Sequence, residues 1–369
     1  MTKIRMSDLE IGSEFYLNYS SNEEQTKSNK SYFKYISTRF LMTGRASIAF
    51  ALADANNKVK SKIAYLPAYI CESVIDCFTY CGYKVLFYDI DKSSLAIKEI
   101  DIKILNESGI FFYCDYFGLS QNKQIPMYLK KAKSNNVLLI KDITHSLFNK
   151  NNDEIEADYY VASLHKWMGL PSGGCVFSNN TLINPPLEKN NDYIDLRKSC
   201  LYKKGEYIMS SDPLKKKQYL DEYHNAEMKI KNDFNLCGMD ELSKALFLST
   251  NFDDLIKIRI DNFNYLYNNL KFNHNISPIF AEITDGSCPL FFPIYIKNNR
   301  TNIRKILIKN EIYCPIHWQA PQTVDLSKYP ESKFVYDHIL SIPCDQRYTK
   351  VDMERIVHLF NDIDYGSDY

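Results

Sequence analysis

Short apolar runs alternate with helical patterns over residues 36–250, and this alternation constrains the fold more than any other feature. Segments between the runs, such as 72–80, space their apolar residues as a helix does. Strands that alternate with helices predict a mostly parallel sheet covered by helices, so we expect an α/β domain. The runs with the length and composition of buried strands are 62–66, 84–88, 109–113, 137–140 and 159–162.

The chain is predicted to divide into three regions. Residues 1–35 read as a polar arm, rich in Ser, Asn, Glu and Lys, and residues 36–253 as a large domain. A helical pattern bridges to a small C-terminal α+β domain, and together they occupy 254–369. In this last region the expected elements are a strand within 290–296, a helix at 300–309 and a strand at 312–316.

One long segment offers no chemical motif. Residues 192–227 are rich in Lys, Tyr and Asp. Charge of this kind is typical of a solvated face, so we expect helix and loop near a subunit boundary.

Charge and composition exclude several classes of function. The 369 residues carry 45 Lys plus Arg and 45 Asp plus Glu, so no net charge favours nucleic acid. The apolar runs are shorter than the ~18 residues of a membrane helix. Ten cysteines without paired spacing predict no metal site and a reducing, cytoplasmic location.

The segment DYYVASLHKWMGLPSGG, residues 158–174, places Lys166 just after a predicted strand. Parallel α/β sheets bind ligands at the carboxyl ends of their strands, so this lysine is predicted to face a crevice. Burial or a nearby cation would make it a Schiff-base nucleophile, and His165 and Trp167 on either side are candidates for that effect. The alternative is a solvated loop lysine, the usual state of Lys.

Two earlier segments favour the chemical interpretation. Asp142 follows the apolar run 137–140, where a carboxylate could keep the pyridine nitrogen of pyridoxal phosphate protonated. A turn or capping Asp is the common alternative. The segment TGRAS at 43–47 opens a predicted helix, whose free N–H groups and dipole suit a phosphate, unless it is an ordinary helix start.

In chain order, a phosphate-type helix start, an acid after a strand and a lysine after a later strand match fold type I pyridoxal-phosphate enzymes. The chain resembles the DegT/DnrJ/EryC1/StrS aminotransferase family over about residues 40–363. The resemblance implies a fold type I transferase, with a mostly parallel large domain and a smaller C-terminal α+β domain. The matching segments are TGRASIAFAL, YLPAYICESVIDCFTYCGYKVLFYDID, DYFGLSQ, LLIKDITHSLF, SLHKWMGLPSGG, MDELSKALF, IKIR, IYCPIHWQAP and LSIPCDQRYTKVDMERI.

The resemblance also implies pyridoxal 5'-phosphate as the cofactor and gives residues their roles. Lys166 would bind the cofactor covalently and carry a proton, and Asp142 would pair with the pyridine nitrogen. His145 would lie near the phenolic oxygen. The phosphate would be held by Ser163, Gly44, Arg45 and Ala46.

The chain departs from the family pattern at three places. Ser163 lies closer to Lys166 than in the family's S-F-H-x-x-K. FNLCGMDEL replaces a stretch that reaches the other subunit's site in the family, which leaves a contact from Asn235 open. Cys71 stands where the family often has the aromatic residue that stacks on the cofactor ring. The open candidates for that role are Tyr69, Tyr116 and Phe117.

Three residues near the C-terminus are candidate substrate contacts. His317 and Trp318 end a predicted strand, where they either meet the substrate or pack in the core. Arg347 has the guanidinium geometry to bind a donor carboxylate, or it pairs with Asp345.

The resemblance implies an aminotransferase that moves an amino group from an amino acid such as glutamate to a nucleotide-linked keto-sugar, as a homodimer, for surface glycans or related products. Two alternatives stay open. One is another pyridoxal-phosphate reaction, such as decarboxylation or retro-aldol cleavage. The other is a non-catalytic sensor with the same fold. The donor, the acceptor and the carbon that is aminated are left open as well.

Overall fold

The computed structural model describes residues 9–18, 33–119, 125–150, 155–185, 187–231 and 233–363. The polar stretch 19–30 of the predicted arm lies outside the described residues, as does the end of the segment DYFGLSQ.

Twelve strands lie within these ranges. They fall into a seven-stranded sheet, a three-stranded sheet and a two-stranded pair. In chain order they are β1 (Ile11–Gly12), β2 (Ser37–Leu41), β3 (Ile63–Pro67), β4 (Lys84–Tyr88), β5 (Ile110–Cys114), β6 (Leu138–Asp142), β7 (Tyr159–Ser163), β8 (Gly174–Ser178), β9 (Ile276–Pro278), β10 (Phe292–Ile296), β11 (Ile312–Tyr313) and β12 (Ile339–Ile342).

Eleven α-helices connect these strands in the described residues. They are α1 (Gly44–Ala55), α2 (Glu72–Tyr80), α3 (Ile102–Glu107), α4 (Ile125–Ser134), α5 (Asn191–Ser210), α6 (Pro213–Ile230), α7 (Glu241–Ser249), α8 (Phe252–Asn269), α9 (Arg300–Lys309), α10 (Pro330–His338) and α11 (Lys350–Asp362).

The large sheet has the strand order β2-β8-β7-β6-β5-β3-β4. Neighbouring strands are parallel except at β8, which runs antiparallel to both β7 and β2. The predicted mostly parallel sheet is therefore confirmed. Each predicted run overlaps an observed strand with a shift of two residues or fewer, because runs of buried Val, Ile, Leu, Phe and Tyr suit strands covered on both faces.

Helix α1 brings the phosphate-type turn to the sheet. The Thr43 hydroxyl oxygen caps it by accepting the Ala46 N–H at 3.1 Å, and the helix packs against β7 and β8. Its first residue lies so close to the end of β7 that a Cβ on Gly44 would be 2.8 Å from Ser163 Cβ. Packing therefore requires glycine at this position. The sequence shows only the order of the two segments along the chain, and the structure shows that they are in contact.

The small domain consists of an antiparallel sheet in the order β12-β10-β9 with helices on it. Helix α8 leads into this domain and packs against α11. The mixed α and β content agrees with the predicted fold class, and α9 occupies the predicted range 300–309. The proposed boundaries at residues 35 and 253 stay predictions.

Residues 9–18 of the predicted arm pack into the body of the protein. Strand β1 pairs in parallel with β11, and Ile11 is fully buried. The charged side chain of Glu10 is buried beside this strand pair. Lys204 Nζ lies 3.0 Å from the Glu10 carboxylate, and both side chains are 1% exposed. Lys216 Nζ lies 3.3 Å from the other carboxylate oxygen. These ion pairs anchor the segment to α5 and α6.

Helices α5 and α6 form an antiparallel hairpin over the segment that we expected to have a solvated face. Two charged side chains of α5, Arg197 and Lys204, are buried instead. The reason is tertiary, since carboxylates of residues 10 and 14 meet these cations from another part of the chain.

None of the helices in the described ranges is both long and apolar enough to traverse a lipid bilayer.

Lys204→Met should lower the free energy of unfolding by about 3 kcal/mol, because it leaves the Glu10 charge buried with one counter-charge fewer. Lys216 remains near Glu10 and limits the loss. Urea unfolding measures the change. Lys203→Met, on the same helix in a more exposed pair with Glu222, should cost less than about 1 kcal/mol. Equal losses in the two variants would contradict this account of the buried pair.

Gly44→Ala should cost about 1–3 kcal/mol of unfolding free energy, because the added methyl group overlaps Ser163 Cβ. Adding Ser163→Gly removes that Cβ and should recover most of the loss. A double-mutant cycle by urea unfolding measures this coupling, and simple additivity of the two changes would count against a direct contact.

Candidate active site

A cavity of about 580 Å³ opens at the carboxyl ends of β5, β6 and β7, beside the start of α1. The structure brings all but one of the predicted site residues to its wall, although they come from distant parts of the chain. Those that line it are Gly44, Arg45, Asp142, His145, Ser163, Lys166, His317, Trp318 and Arg347. Ala46 lies one residue deeper in α1, with its N–H taken by Thr43.

Lys166 lies in a single 3-10 turn that follows β7 directly. Its Nζ is 3.0 Å from His145 Nε2 and 5.1 Å from the centre of the Trp318 ring. Desolvation lowers the pKa of Lys166, although Cys71 and Asp142 act in the opposite direction. A lower lysine pKa increases the fraction of uncharged, nucleophilic amine.

The neighbours of Lys166 differ from those considered in the sequence. Trp167 is buried behind the turn and donates its indole N–H to the Thr144 carbonyl at 2.7 Å. His165 lines the same cavity, but the imidazole that contacts the lysine amine is that of His145. Sequence adjacency therefore did not identify the imidazole that touches Lys166.

His145 is held as a neutral imidazole with one preferred tautomer. Its Nδ1 accepts the Phe117 N–H at 3.3 Å, so Nε2 carries the proton and faces Lys166. Desolvation, with the charges of Lys166 and His317, holds the pKa of His145 well below its usual value. Nε2–H can thus donate to an uncharged Lys166 amine. Phe117 presents its N–H from a left-handed conformation, with φ of 57°.

Asp142 ends β6 and is tied to the next residues of the chain. Its Oδ1 accepts the Thr144 N–H at 2.8 Å. Burial raises the pKa of Asp142, while hydrogen bonds from Thr144 and the charge of Lys166 oppose the rise. A cationic partner at this carboxylate would stabilise its ionised form further.

Thr144 is a site residue that the sequence reasoning missed. Its hydroxyl oxygen accepts the Ser163 N–H at 3.0 Å, and its hydroxyl also bonds Asp142. This side chain therefore links the end of β6 to the end of β7. The sequence feature that could have identified Thr144 is a hydroxyl residue two positions after an acid at the end of a predicted strand.

The predicted phosphate turn offers backbone donors. Within the described ranges, neither the Gly44 nor the Arg45 N–H has a hydrogen-bond partner, as is usual for the first turn of a helix. The Arg45 guanidinium is already engaged by other residues of the cavity wall, since it donates to the Ile230 carbonyl and lies 3.6 Å from Glu227. Arg45 would therefore contribute its N–H and not its side chain.

The three candidate stacking residues are all buried and pack together. The Tyr69 hydroxyl donates to the His317 carbonyl, and the Tyr116 hydroxyl donates to the Tyr69 carbonyl. Tyr116 lines the cavity beside Cys71, whereas Tyr69 and Phe117 are not among the lining residues. The geometry favours Tyr116 among the three, and the stacking role itself stays a prediction.

His317 and Trp318 differ in what they present. His317 is buried, with Nδ1 2.8 Å from Ser341 Oγ, and desolvation together with the Lys166 charge lowers its pKa to about 3. Trp318 lies over Lys166, and its ring centre is 5.4 Å from that of His145. The His317 ring also packs against His145, with 5.6 Å between their centres, so the two residues differ in that Trp318 also lies over Lys166.

Arg347 is engaged by its neighbours. Its Nε and Nη2 donate to the two carboxylate oxygens of Asp345 at 2.8 and 2.9 Å, and Nη1 donates to the Glu14 carbonyl at 2.8 Å. In the structure, therefore, Arg347 pairs with Asp345, which is the second of the two alternatives. Its role in binding a donor carboxylate stays a prediction.

Two further parts of the wall were absent from the sequence interpretation. They are the segment from Gly12 to Phe15 and the buried Arg197 of α5. No short-range pattern marks either one, because both reach the cavity only through tertiary packing.

The arrangement fits pyridoxal phosphate. Helix α1 offers two N–H donors beside Ser163, which suits a phosphate, while Asp142 supplies a half-buried carboxylate and Lys166 an amine of lowered pKa. In the described part of the chain, no group of three His, Cys, Asp or Glu residues could hold a metal ion.

Comparison with solved structures gives the same fold for several sugar aminotransferases. PseC of Helicobacter pylori, an aminotransferase involved in the biosynthesis of pseudoaminic acid, is 14% identical, with 95% of this chain and 98% of that chain covered and a TM-score of 0.67. The putative sugar aminotransferase Spr1654 of Streptococcus pneumoniae in its PMP form is 14% identical, with 95% and 91% covered and a TM-score of 0.65.

A third neighbour is DesI, solved in the presence of its TDP-sugar product. It is 13% identical, with 89% of this chain and 80% of that chain covered and a TM-score of 0.62. A search of curated protein sequences finds no match.

The family model described as the DegT/DnrJ/EryC1/StrS aminotransferase family matches residues 46–361. This match confirms the family resemblance, the aminotransferase class and pyridoxal phosphate as the cofactor. The chain belongs to the DegT/DnrJ/EryC1/StrS aminotransferase family and has the fold type I architecture of its pyridoxal-phosphate-dependent enzymes.

Proposed function

We propose that this aminotransferase moves an amino group from an amino acid such as glutamate to a nucleotide-linked keto-sugar. The observation that carries the proposal is the contact between Lys166 Nζ and the neutral His145 in a cavity that also holds Asp142. The substrate class is supported by the neighbours, since PseC serves pseudoaminic acid biosynthesis and DesI was solved with a TDP-sugar product.

Each residue has a part in this chemistry. Pyridoxal phosphate, when bound, supplies an electron sink for the amino acid's α carbon. Lys166 Nζ takes the α proton and returns it at a neighbouring position, while His145 Nε2–H orients the amine. Asp142 would keep the pyridine nitrogen protonated. Ser163 and the N–H groups of Gly44 and Arg45 would bind the phosphate, in a turn that Ala46 supports by donating its N–H to Thr43.

The substrate side of the cavity is formed by the small domain. Trp318 covers Lys166 and limits how a sugar ring can approach, and His317 fixes the loop through Ser341 and Tyr69. Arg347 can receive a donor carboxylate only by exchanging the Asp345 carboxylate for it.

We further propose that the enzyme works in the cytoplasm as a homodimer, in the biosynthesis of surface glycans or related products. All ten cysteines are free thiols, which supports a reducing compartment. The homodimer is inferred from the family. The partners are then an amino donor and a sugar nucleotide.

Lys166→Ala should abolish the visible absorbance of cofactor bound through the lysine and lower turnover about 10²- to 10⁴-fold, since the proton carrier is gone. Absorbance spectra and a coupled assay with glutamate and candidate keto-sugar nucleotides measure both effects. Lys189→Ala, at an exposed ion pair with Glu241, is the control and should behave as wild type. Normal turnover by Lys166→Ala would overturn the proposal.

The same assay separates the other chemistries. Product formed from the amino acid alone, without a keto acceptor, would favour decarboxylation or lyase activity over amino transfer. Absence of any cofactor spectrum in the wild type would favour the non-catalytic alternative.

Thr144→Val should move the acid limb of the kcat/KM profile to higher pH. The Thr144 hydroxyl opposes the rise in the Asp142 pKa that burial causes, so its loss raises that pKa and protonates the carboxyl at higher pH. Thr144→Ser retains the hydroxyl and should keep the wild-type profile. A pH profile of all three proteins is the measurement, and coincident acid limbs would refute the role of Thr144.

A further inference from the structure

Arg197 of α5 is a buried cation in the wall of the active-site cavity. The residue is 4% exposed, and the cavity reaches its side chain. Within the described ranges of the chain, its Nε and Nη1 atoms are buried without a hydrogen-bond partner. Leaving buried N–H donors of a charged group unsatisfied is costly, so two such donors at a cavity wall point to a ligand.

The carboxylates of Glu14 and Glu227 both act on the Arg197 charge, but within the described residues neither accepts a hydrogen bond from its Nε or Nη1. Nη2 lies 3.7 Å from a carboxylate oxygen of Glu14, beyond hydrogen-bond distance, and the Glu14 side chain is 35% exposed. The Tyr223 ring packs against the guanidinium, with its centre 4.9 Å away. These contacts hold the group in position and leave donors for an anion.

Other arginines at this cavity are engaged differently. Arg347 is bound side-on by Asp345, and the Arg45 guanidinium donates to the Ile230 carbonyl. Arg259 has one free nitrogen, but its other donors bind the carbonyl groups of Pro289 and Leu290 and the side chain of Gln346. Arg197 therefore differs in that neither Nε nor Nη1 is used.

The cavity that Arg197 faces also contains the start of α1, where the Gly44 and Arg45 N–H groups have no partner in the described residues. A helix N-terminus and a guanidinium attract the same kind of ligand, an oxyanion. A phosphate monoester presents three strong acceptor oxygens, one more than a carboxylate, so it can accept more of these donors at once.

We propose that Arg197 is a phosphate-binding residue of this active site. The proposal rests on the proposed function for the identity of the ligand. Two phosphates could occupy the position, the 5'-phosphate of the cofactor or the diphosphate of a nucleotide-linked substrate. The guanidinium recognises the same chemistry in both cases, and experiment can tell them apart.

The cofactor arm compares pyridoxal phosphate with pyridoxal, which lacks the phosphate. Both are titrated into the cofactor-free protein by absorbance, for wild type and Arg197→Gln. If Arg197 binds the cofactor phosphate, the variant should bind pyridoxal phosphate about 10- to 100-fold more weakly and pyridoxal unchanged.

The substrate arm titrates UDP into the cofactor-loaded protein by calorimetry. If Arg197 binds the substrate's diphosphate, Arg197→Gln should weaken UDP binding by a similar factor and leave the cofactor titrations unchanged. The control is Arg39→Gln, which removes an arginine on β2 that bonds the carbonyl groups of Thr38 and Ile183 outside the cavity. It should match wild type in both arms.

Folding of the variant is controlled with a second one. Arg197→Gln leaves Glu14 without its counter-charge, so Glu14→Gln/Arg197→Gln removes both charges together, and thermal melts verify that both variants fold. The double variant should show the same loss of phosphate affinity. Wild-type affinity for pyridoxal phosphate and for UDP in either folded variant would overturn the proposal.

The test of Arg197 can be decided even if the proposed aminotransferase function is wrong. If the wild type forms no lysine-bound cofactor, the aminotransferase chemistry fails, and UDP titration of the same chain then decides on Arg197. Binding that is lost in Arg197→Gln would support a phosphate site. Equal binding, or none in the wild type, would refute it.

Discussion

The active site depends on the register in which β5, β6 and β7 are hydrogen-bonded. Cys114 pairs with Asp142, and Asp142 pairs with Val161, so the three parallel strands end at one edge of the sheet. The residues that follow these strands therefore line the same cavity, although they lie far apart in the chain. The acid, the lysine and the histidine that contacts it are therefore neighbours because of strand pairing.

Other parts of the chain then close this edge. Helix α1 approaches β7 as closely as glycine permits, which places unpartnered N–H groups beside Ser163. Buried ion pairs hold residues 9–18 against α5 and α6, and Arg347 bonds the carbonyl groups of Ser13 and Glu14 in the same segment. The electrostatic contacts that stabilise the fold thus also form a wall of the cavity.

Sequence reasoning recovered much of this arrangement. Sequence patterns and the family resemblance named the strands of the parallel sheet, the helix at 300–309 and, apart from Ala46, site residues that do line the cavity. They missed Thr144, Arg197 and residues 12–15 of the cavity wall. Sequence reasoning did less well with side-chain partners. It looked to His165 and Trp167 as neighbours of Lys166, whereas the contact is with His145, and it left open whether Arg347 pairs with Asp345.

The segment 192–227 shows why such partners escape a sequence reading. Its composition predicts a solvated face, because hydropathy describes only neighbouring residues. In the structure, however, Lys204 and Arg197 are buried next to carboxylates that lie far away in the chain. A charge can be buried when the fold places a counter-charge next to it, and the composition of one segment does not show whether this happens.

The sequence by itself determined the class of fold, the family and the order of the chemical groups, since alternation of apolar runs and short ordered motifs are local information. Only the tertiary structure decided which groups touch, which tautomer His145 has and that Arg197 has two buried donors without a partner in the described residues. These properties arise from strand register and helix packing, where the distances between remote residues are set.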